Sequence, residues 1–123
     1  MESSTLRIES HILKALSHPA RLHILTLLAG QEACVCHIQA VVGLRQASAS
    51  QHLRELRRSH LIASRRHGAH VYYHVDDPRV PAFLENLLAL VQAQDGRPKS
   101  ATKLRLTPPR GQCKCPQCRR AGP

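Results

Sequence analysis

Residues 34–61 read CVCHIQAVVGLRQASASQHLRELRRSHL, and this stretch decides the fold. A short apolar helix over residues 34–42 is closed by Gly43, and Leu44-Arg45-Gln46 turns the chain into a second helix over residues 47–59. In that second helix Ala49, Leu53 and Leu56 recur at i, i+4 and i+7, the spacing that puts side chains on one buried face. Gln46, Ala47, Ser50, Gln51, Arg54 and Arg58 fall on the other side, so the outer surface is small, polar and basic, and its first residues permit close approach to a partner. Two helices across a tight Gly-containing turn form a helix-turn-helix pattern.

The flanking sequence extends this unit. Residues 4–17 place Leu6, Ile8, Ile12, Leu13 and Leu16 near helical spacing, which predicts a moderately amphipathic first helix. Ser17-His18-Pro19 breaks it and starts another, with Ser17 or His18 as the cap and Pro19 in a first turn where its missing N–H costs nothing. Over residues 20–29 the apolar Leu22, Ile24, Leu25, Leu27 and Leu28 cover more than one face, so this helix is largely buried and Gly30 ends it. Residues 61–75 read as a hairpin in which Val71, Tyr73 and Val75 alternate with Tyr72 and His74, the two-residue period of a strand. Its tip, residues 65–70, is basic and exposed. Asp77-Pro78 opens a last helix over residues 79–93 with a wide apolar stripe that includes Phe83, Leu84, Leu87 and Val91; the first helix and a twin subunit are expected to cover it.

The expected architecture is mainly α with a β-hairpin wing: a winged helix-turn-helix with dimer-forming first and last helices. It occupies residues 1–95 as a DNA-binding and dimerisation domain. Residues 96–123 carry eight Lys or Arg, no acidic residue and several Pro, and read as a disordered basic tail.

Composition narrows the partners. A length of 123 residues is one domain's worth. Net charge is +10 with a pI near 10.3, and nine His can add to it, so a polyanionic partner is favoured. With two Tyr, one Phe and no Trp, a base-stacking platform for single strands is hard to build, and groove and phosphate contacts to duplex DNA suit the chain better. No apolar run reaches the roughly 18 residues of a membrane helix, and MESSTLRIES lacks the layout of a signal peptide. A cytoplasmic protein with no membrane partner is expected. Five cysteines in a reducing compartment then read as metal ligands or sensor thiols, and their odd number argues against a closed disulfide set.

The chain at this point resembles the ArsR/SmtB-type metal-responsive repressors. The residues that carry the resemblance are ALSHPARLHILTLL, CVCHI, LRQASASQHLRELRRSHLI and VYYHVDD, in that order and spacing, across roughly residues 6–92. The resemblance implies that the helix from Ala47 lies in the major groove of double-stranded operator DNA, that the hairpin tip touches the flanking backbone, and that the protein is a homodimer. By position, Gln46, Ser48, Ser50, Gln51 and His52 occupy the stretch that meets DNA. Chemistry agrees: Gln51 can pair two hydrogen bonds with adenine, and Ser48 and Ser50 can reach bases or phosphates. Arg45, Arg54, Arg65 and Arg66 suit phosphate, which positions a protein without specifying sequence. His52 could equally pack as a half-buried, satisfied histidine.

The thiols fall into Cys34/Cys36 and Cys113/Cys115/Cys118. Such spacing collects soft ligands at little chain-entropy cost, and thiolates select arsenic(III), cadmium, lead, zinc or copper(I) over hard cations. Residues two apart on a regular helix point to nearly opposite sides, so Cys34 and Cys36 share one ion only if the helix start is loosened. In the resembled family a CVC here is the arsenic, cadmium or lead sensing motif, which implies Cys34 and Cys36 as ligands. The chain departs from the CVCDLC form: Gln39 stands where a third thiol would be, and His37 replaces the Asp. The tail is expected to supply the missing thiols. Cys113 lies 18 positions after Asp95, a coil reach of roughly 23 Å and an extended reach of about 60 Å. One tail thiol completes a trigonal site for arsenic(III) or lead, two complete a tetrahedral site for cadmium or zinc, and the tail triad binding its own ion is the alternative. The family's other site pairs an Asp and a His before the last helix with His and Glu within it. Asp76 and His74 are present, the last helix has no His, and no zinc site of that kind is expected.

The leading expectation is thus a repressor that releases its operator when a thiophilic ion (arsenite, cadmium, lead or zinc) binds as inducer. A thiol-redox or polysulfide signal on the same fold is the first alternative, a metal-buffering protein that uses the tail is the second, and an enzyme built on Cys34 or Cys36 with His37 is the least supported.

Overall fold

The computed structural model describes residues 3–95. The tail, with Cys113, Cys115 and Cys118 and the reading of residues 96–123 as a separate segment, lies outside the described residues. The elements in order are α1 Ser3–Leu16, α2 Pro19–Gly30, β1 Ala33–Cys34, α3 Val35–Val42, α4 Gln46–Arg58, β2 Ala63–His67, β3 His70–His74 and α5 Arg79–Asp95. No helix among the described residues is long and apolar enough to cross a membrane.

The core follows from the apolar pattern. Ile24, Leu25, Leu27 and Leu28 of α2 are buried on several sides, as its all-round apolar composition requires, and they meet Ile38 and Val41 of α3 and Leu53 and Leu56 of α4. Burial of each such side chain stabilises the fold by about 2 kcal/mol. Pro19 takes the first turn of α2 behind an extended His18, but neither candidate cap bonds the helix end through its side chain. The Ser17 hydroxyl instead donates back to the Leu13 carbonyl at 3.1 Å. Gly30 is the last helical residue, and the extended Gln31 is the cap.

Gly43 ends α3 in the left-handed region, at φ 78°, where its N–H donates to the Gln39 carbonyl at 2.8 Å. The end of α4 does the same work without glycine. His60 takes φ 60°, its N–H donates to the Arg57 carbonyl at 3.0 Å, and the Leu61 N–H donates to the Leu56 carbonyl at 3.0 Å. This pair of bonds is a Schellman closure.

The sheet differs from the expected hairpin. It has three antiparallel strands in the order β1-β3-β2, with Ala33 opposite Tyr73 and Cys34 opposite Tyr72 on one side and Ser64 opposite Tyr73 on the other. The two-residue β1 leaves no mark in the sequence, because no alternation is legible over so short a segment. As a result α3 starts at Val35, and Cys34 is a strand residue that caps the helix. Tyr72, at the centre of the sheet, is only 2% exposed.

Candidate nucleic-acid interface and thiol site

The recognition helix α4 presents the two faces that its sequence demands. Ala49, Leu53 and Leu56 are buried, while Gln46, Ala47, Ser50, Gln51, Arg54 and Arg58 are exposed, as is Arg45 just before the helix. Ser48 and His52, one turn apart, lie half-buried at the seam between these faces. Gln51 and Ser50 therefore stand free for base edges, and Arg45, Arg54, Arg57 and Arg58 form a basic rim that suits phosphate. Arg58 also meets Glu55 at 3.3 Å on the surface, a contact of little energetic consequence.

His52 has an internal partner. The Arg21 Nε donates to its Nδ1 at 3.0 Å, and the His18 ring stands 5.7 Å away, tilted. Arg21 is buried at 8% exposure, and its Nη1 donates to the Ala15 carbonyl at 3.1 Å, which anchors it to the end of α1. Burial first, then the charges of Arg21 and His18, hold the His52 imidazole below its ordinary pKa. The local pattern marks Arg21 only as a cation at the head of the largely apolar RLHILTLL run.

The wing places its two arginines differently. Arg66 is exposed. Arg65 is gripped at both ends: Nε donates to Glu32 Oε2 at 2.6 Å, Nη2 donates to Glu32 Oε1 at 2.5 Å, and its guanidinium carbon lies 5.0 Å over the Tyr72 ring. The Glu32 carboxylate raises the Arg65 pKa further, so that side chain stays charged. Glu32 also comes within 3.8 Å of His74 Nδ1, and His74 Nε2 meets Asp76 at 2.7 Å. His74 is thus a half-buried, paired residue rather than a plain surface one. Glu32 is the lone acid between Glu9 and Glu55, and its role depends on a fold-level contact that no local pattern marks.

The cysteines do not sit as a preformed pair. Cys34 is 3% exposed within β1, whereas Cys36 is exposed in the first turn of α3. His37, beside it, is buried. Cys34 has extended backbone angles, φ −82° and ψ 168°, so the helix is not yet wound at that residue. Helix winding therefore begins only after Cys34, and strand pairing holds that residue in place instead. No group of three or more His, Cys, Asp or Glu able to hold a metal occurs among the described residues. Cys34 and Cys36 are two soft donors, fewer than the three or four that a trigonal or tetrahedral thiolate site uses.

A helix-turn-helix with a basic recognition face and a β wing defines a winged helix-turn-helix DNA-binding module. Residues 18–64 match the model of the bacterial regulatory protein, arsR family. An uncharacterized HTH-type transcriptional regulator of Mycobacterium tuberculosis is 36% identical over 86 residues, which span 68% of this chain and 75% of the relative. The transcriptional repressor SmtB homolog of Synechocystis is 34% identical over 86 residues, and these span 70% of this chain but 65% of the relative, just under two thirds. Among solved structures, reduced HlyU from Vibrio cholerae superposes with a TM-score of 0.64 at 32% identity, covering 71% of this chain and 92% of that one. A homodimeric winged helix-turn-helix DNA-binding domain from Mycobacterium bovis superposes with a TM-score of 0.70 at 27% identity, covering 77% and 89%. The chain belongs to the ArsR family of transcriptional regulators.

Proposed function

We propose that this protein is a homodimeric repressor that binds double-stranded operator DNA and lets go when Cys34 and Cys36, with tail thiols from Cys113, Cys115 and Cys118, take up arsenic(III), cadmium, lead or zinc. The observation that carries the reading is the position of the CVC motif. Cys34 pairs with Tyr72 of the wing strand β3, and the next residue opens α3, which packs on the recognition helix. One joint therefore touches both DNA-contacting elements.

The coupling follows from burial. For both thiols to reach one ion, Cys34 must leave its buried place in β1. That movement loosens β1 from β3 and shifts the start of α3, so the wing and recognition helix lose the relative position that fits DNA. A coupling of about 1–3 kcal/mol is typical of such linkage. The twin subunit is supported by an apolar groove between α1 and α5, lined by Ile12, Leu13, Leu16, Val80, Phe83 and Leu84, with Leu88, Leu90 and Val91 also exposed on α5.

The test is release from a duplex that the native chain selects from a random-sequence pool. The reduced full chain is titrated with arsenite, cadmium, lead and zinc, alongside Cys34→Ser, Cys36→Ser and a chain ending at Asp95. Release by at least one of these ions, lost in the variants, is expected. Equal retention of DNA with and without all four sinks the metal-sensing reading.

A second reading makes thiol oxidation the signal, favoured by the exposure of Cys36. Mass spectrometry after mild oxidant, set against anaerobic metal titration, separates the two.

A further inference from the structure

We propose that Arg21 is a positioning residue for DNA binding: it fixes the tautomer of His52 so that the Nε2–H faces a DNA phosphate at the edge of the recognition helix. The inference rests on the DNA-binding reading and adds to it a buried residue that never touches DNA.

The chemistry starts from the donor inventory. A guanidinium has only donors, so a ring nitrogen 3.0 Å from Arg21 Nε must be an acceptor. His52 Nδ1 therefore carries a lone pair, and the neutral ring holds its proton on Nε2. Arg21 cannot swing away easily, because it is buried and its Nη1 is tied to the Ala15 carbonyl. The groups facing the ring from α2 and from the α1–α2 connection are Arg21 and His18, and on α4 itself Ser48 and Glu55 lie one turn to either side. Burial and the two basic neighbours lower the His52 pKa, which keeps the ring neutral and the tautomer defined.

His52 is half-buried, and Arg21 occupies Nδ1, which leaves Nε2 as the ring nitrogen available for an outward contact. His52 stands at the seam of α4, between buried Ala49 and Leu53 and the exposed Gln51. A donor at that seam meets the sugar-phosphate wall of the groove rather than base edges. Because the ring is neutral, its contact adds directional affinity while neutralising no phosphate charge.

Two isosteric variants separate the ring nitrogens. His52→Asn keeps an acceptor near the Nδ1 position for Arg21 and loses the outward donor; His52→Gln keeps an amide donor near the Nε2 position. With the selected duplex as probe, His52→Asn should bind about tenfold more weakly across a dimer, with the slope of log affinity against log salt unchanged. His52→Gln, which keeps the outward donor but loses the acceptor that Arg21 holds, should fall between His52→Asn and native; full native affinity in His52→Gln would show that Arg21 does not position the donor. Nitrogen NMR of the native imidazole should show Nδ1 bare and Nε2 protonated above neutral pH. A proton on Nδ1, or native affinity in His52→Asn while native protein binds normally, overturns this proposal alone. A native chain that selects no duplex overturns the DNA-binding reading and this proposal with it.

Discussion

Replacing Glu32 by Gln should make DNA binding tighter and more sensitive to salt. Glu32 offers Arg65 two carboxylate oxygens at 2.5 and 2.6 Å, the same forked geometry that a phosphate would offer. To contact DNA, Arg65 must exchange one anion for another, and the exchange gains little net charge neutralisation. A neutral amide at position 32 holds the guanidinium far less well and leaves it free for phosphate. Each phosphate newly neutralised steepens the slope of log affinity against log salt by about 0.9, so a two-fold symmetric dimer should gain about 1.8. Arg66→Ala, which removes an exposed cation with no such partner among the described residues, should lower the slope by about half that amount per subunit, 0.9. Arg65→Ala should change the slope little in the native background and abolish the gain in the Glu32→Gln background. Fluorescence anisotropy across salt from about 50 to 200 mM reads the native protein and the four variants, and urea unfolding of each confirms that the affinities compare folded proteins. A Glu32→Gln slope equal to native, with Arg66→Ala reduced as expected, would refute the reasoning.

Other consequences follow from burial and titration. Leu53, 1% exposed, joins α4 to the core, and Leu53→Ala should cost about 2–5 kcal/mol in urea unfolding; a loss below about 1 kcal/mol would mean that α4 is not locked to the core by this side chain. The His52 pKa is lowered from 6.5 in the folded chain, so the native state binds fewer protons than the unfolded state between that lowered value and pH 6.5. Stability should fall as pH drops through this window, and His52→Asn should remove that part of the slope in thermal melts. Leu13 and Phe83 line the α1/α5 groove and are 56% and 43% exposed in the single chain. Leu13→Glu or Phe83→Glu should shift sedimentation toward monomer and weaken DNA binding; an unchanged dimer places the subunit contact elsewhere.

Much of this protein is legible along the chain. The i, i+4, i+7 spacing of Ala49, Leu53 and Leu56 assigns helix α4 and its buried face without further information, because a helix this polar has one way to hide its apolar side chains. Gly43 marks the turn, since φ 78° suits a residue with no side chain. The net charge of +10 points to a polyanion before any fold is known. These are local or additive properties, and they survive without coordinates.

What the tertiary structure decided concerns pairs far apart in sequence. Arg21 and His52 are 31 positions apart and Glu32 and Arg65 are 33 apart, and nothing local to either residue names its partner. The same is true of β1: two residues carry no readable period, yet their pairing with Tyr72 and Tyr73 buries Cys34 and ties the CVC motif to the wing. Spacing alone treats Cys34 and Cys36 as equivalent thiols on one helix. The fold makes one a buried strand residue and the other an exposed helix residue, because strand pairing and helix winding meet between them.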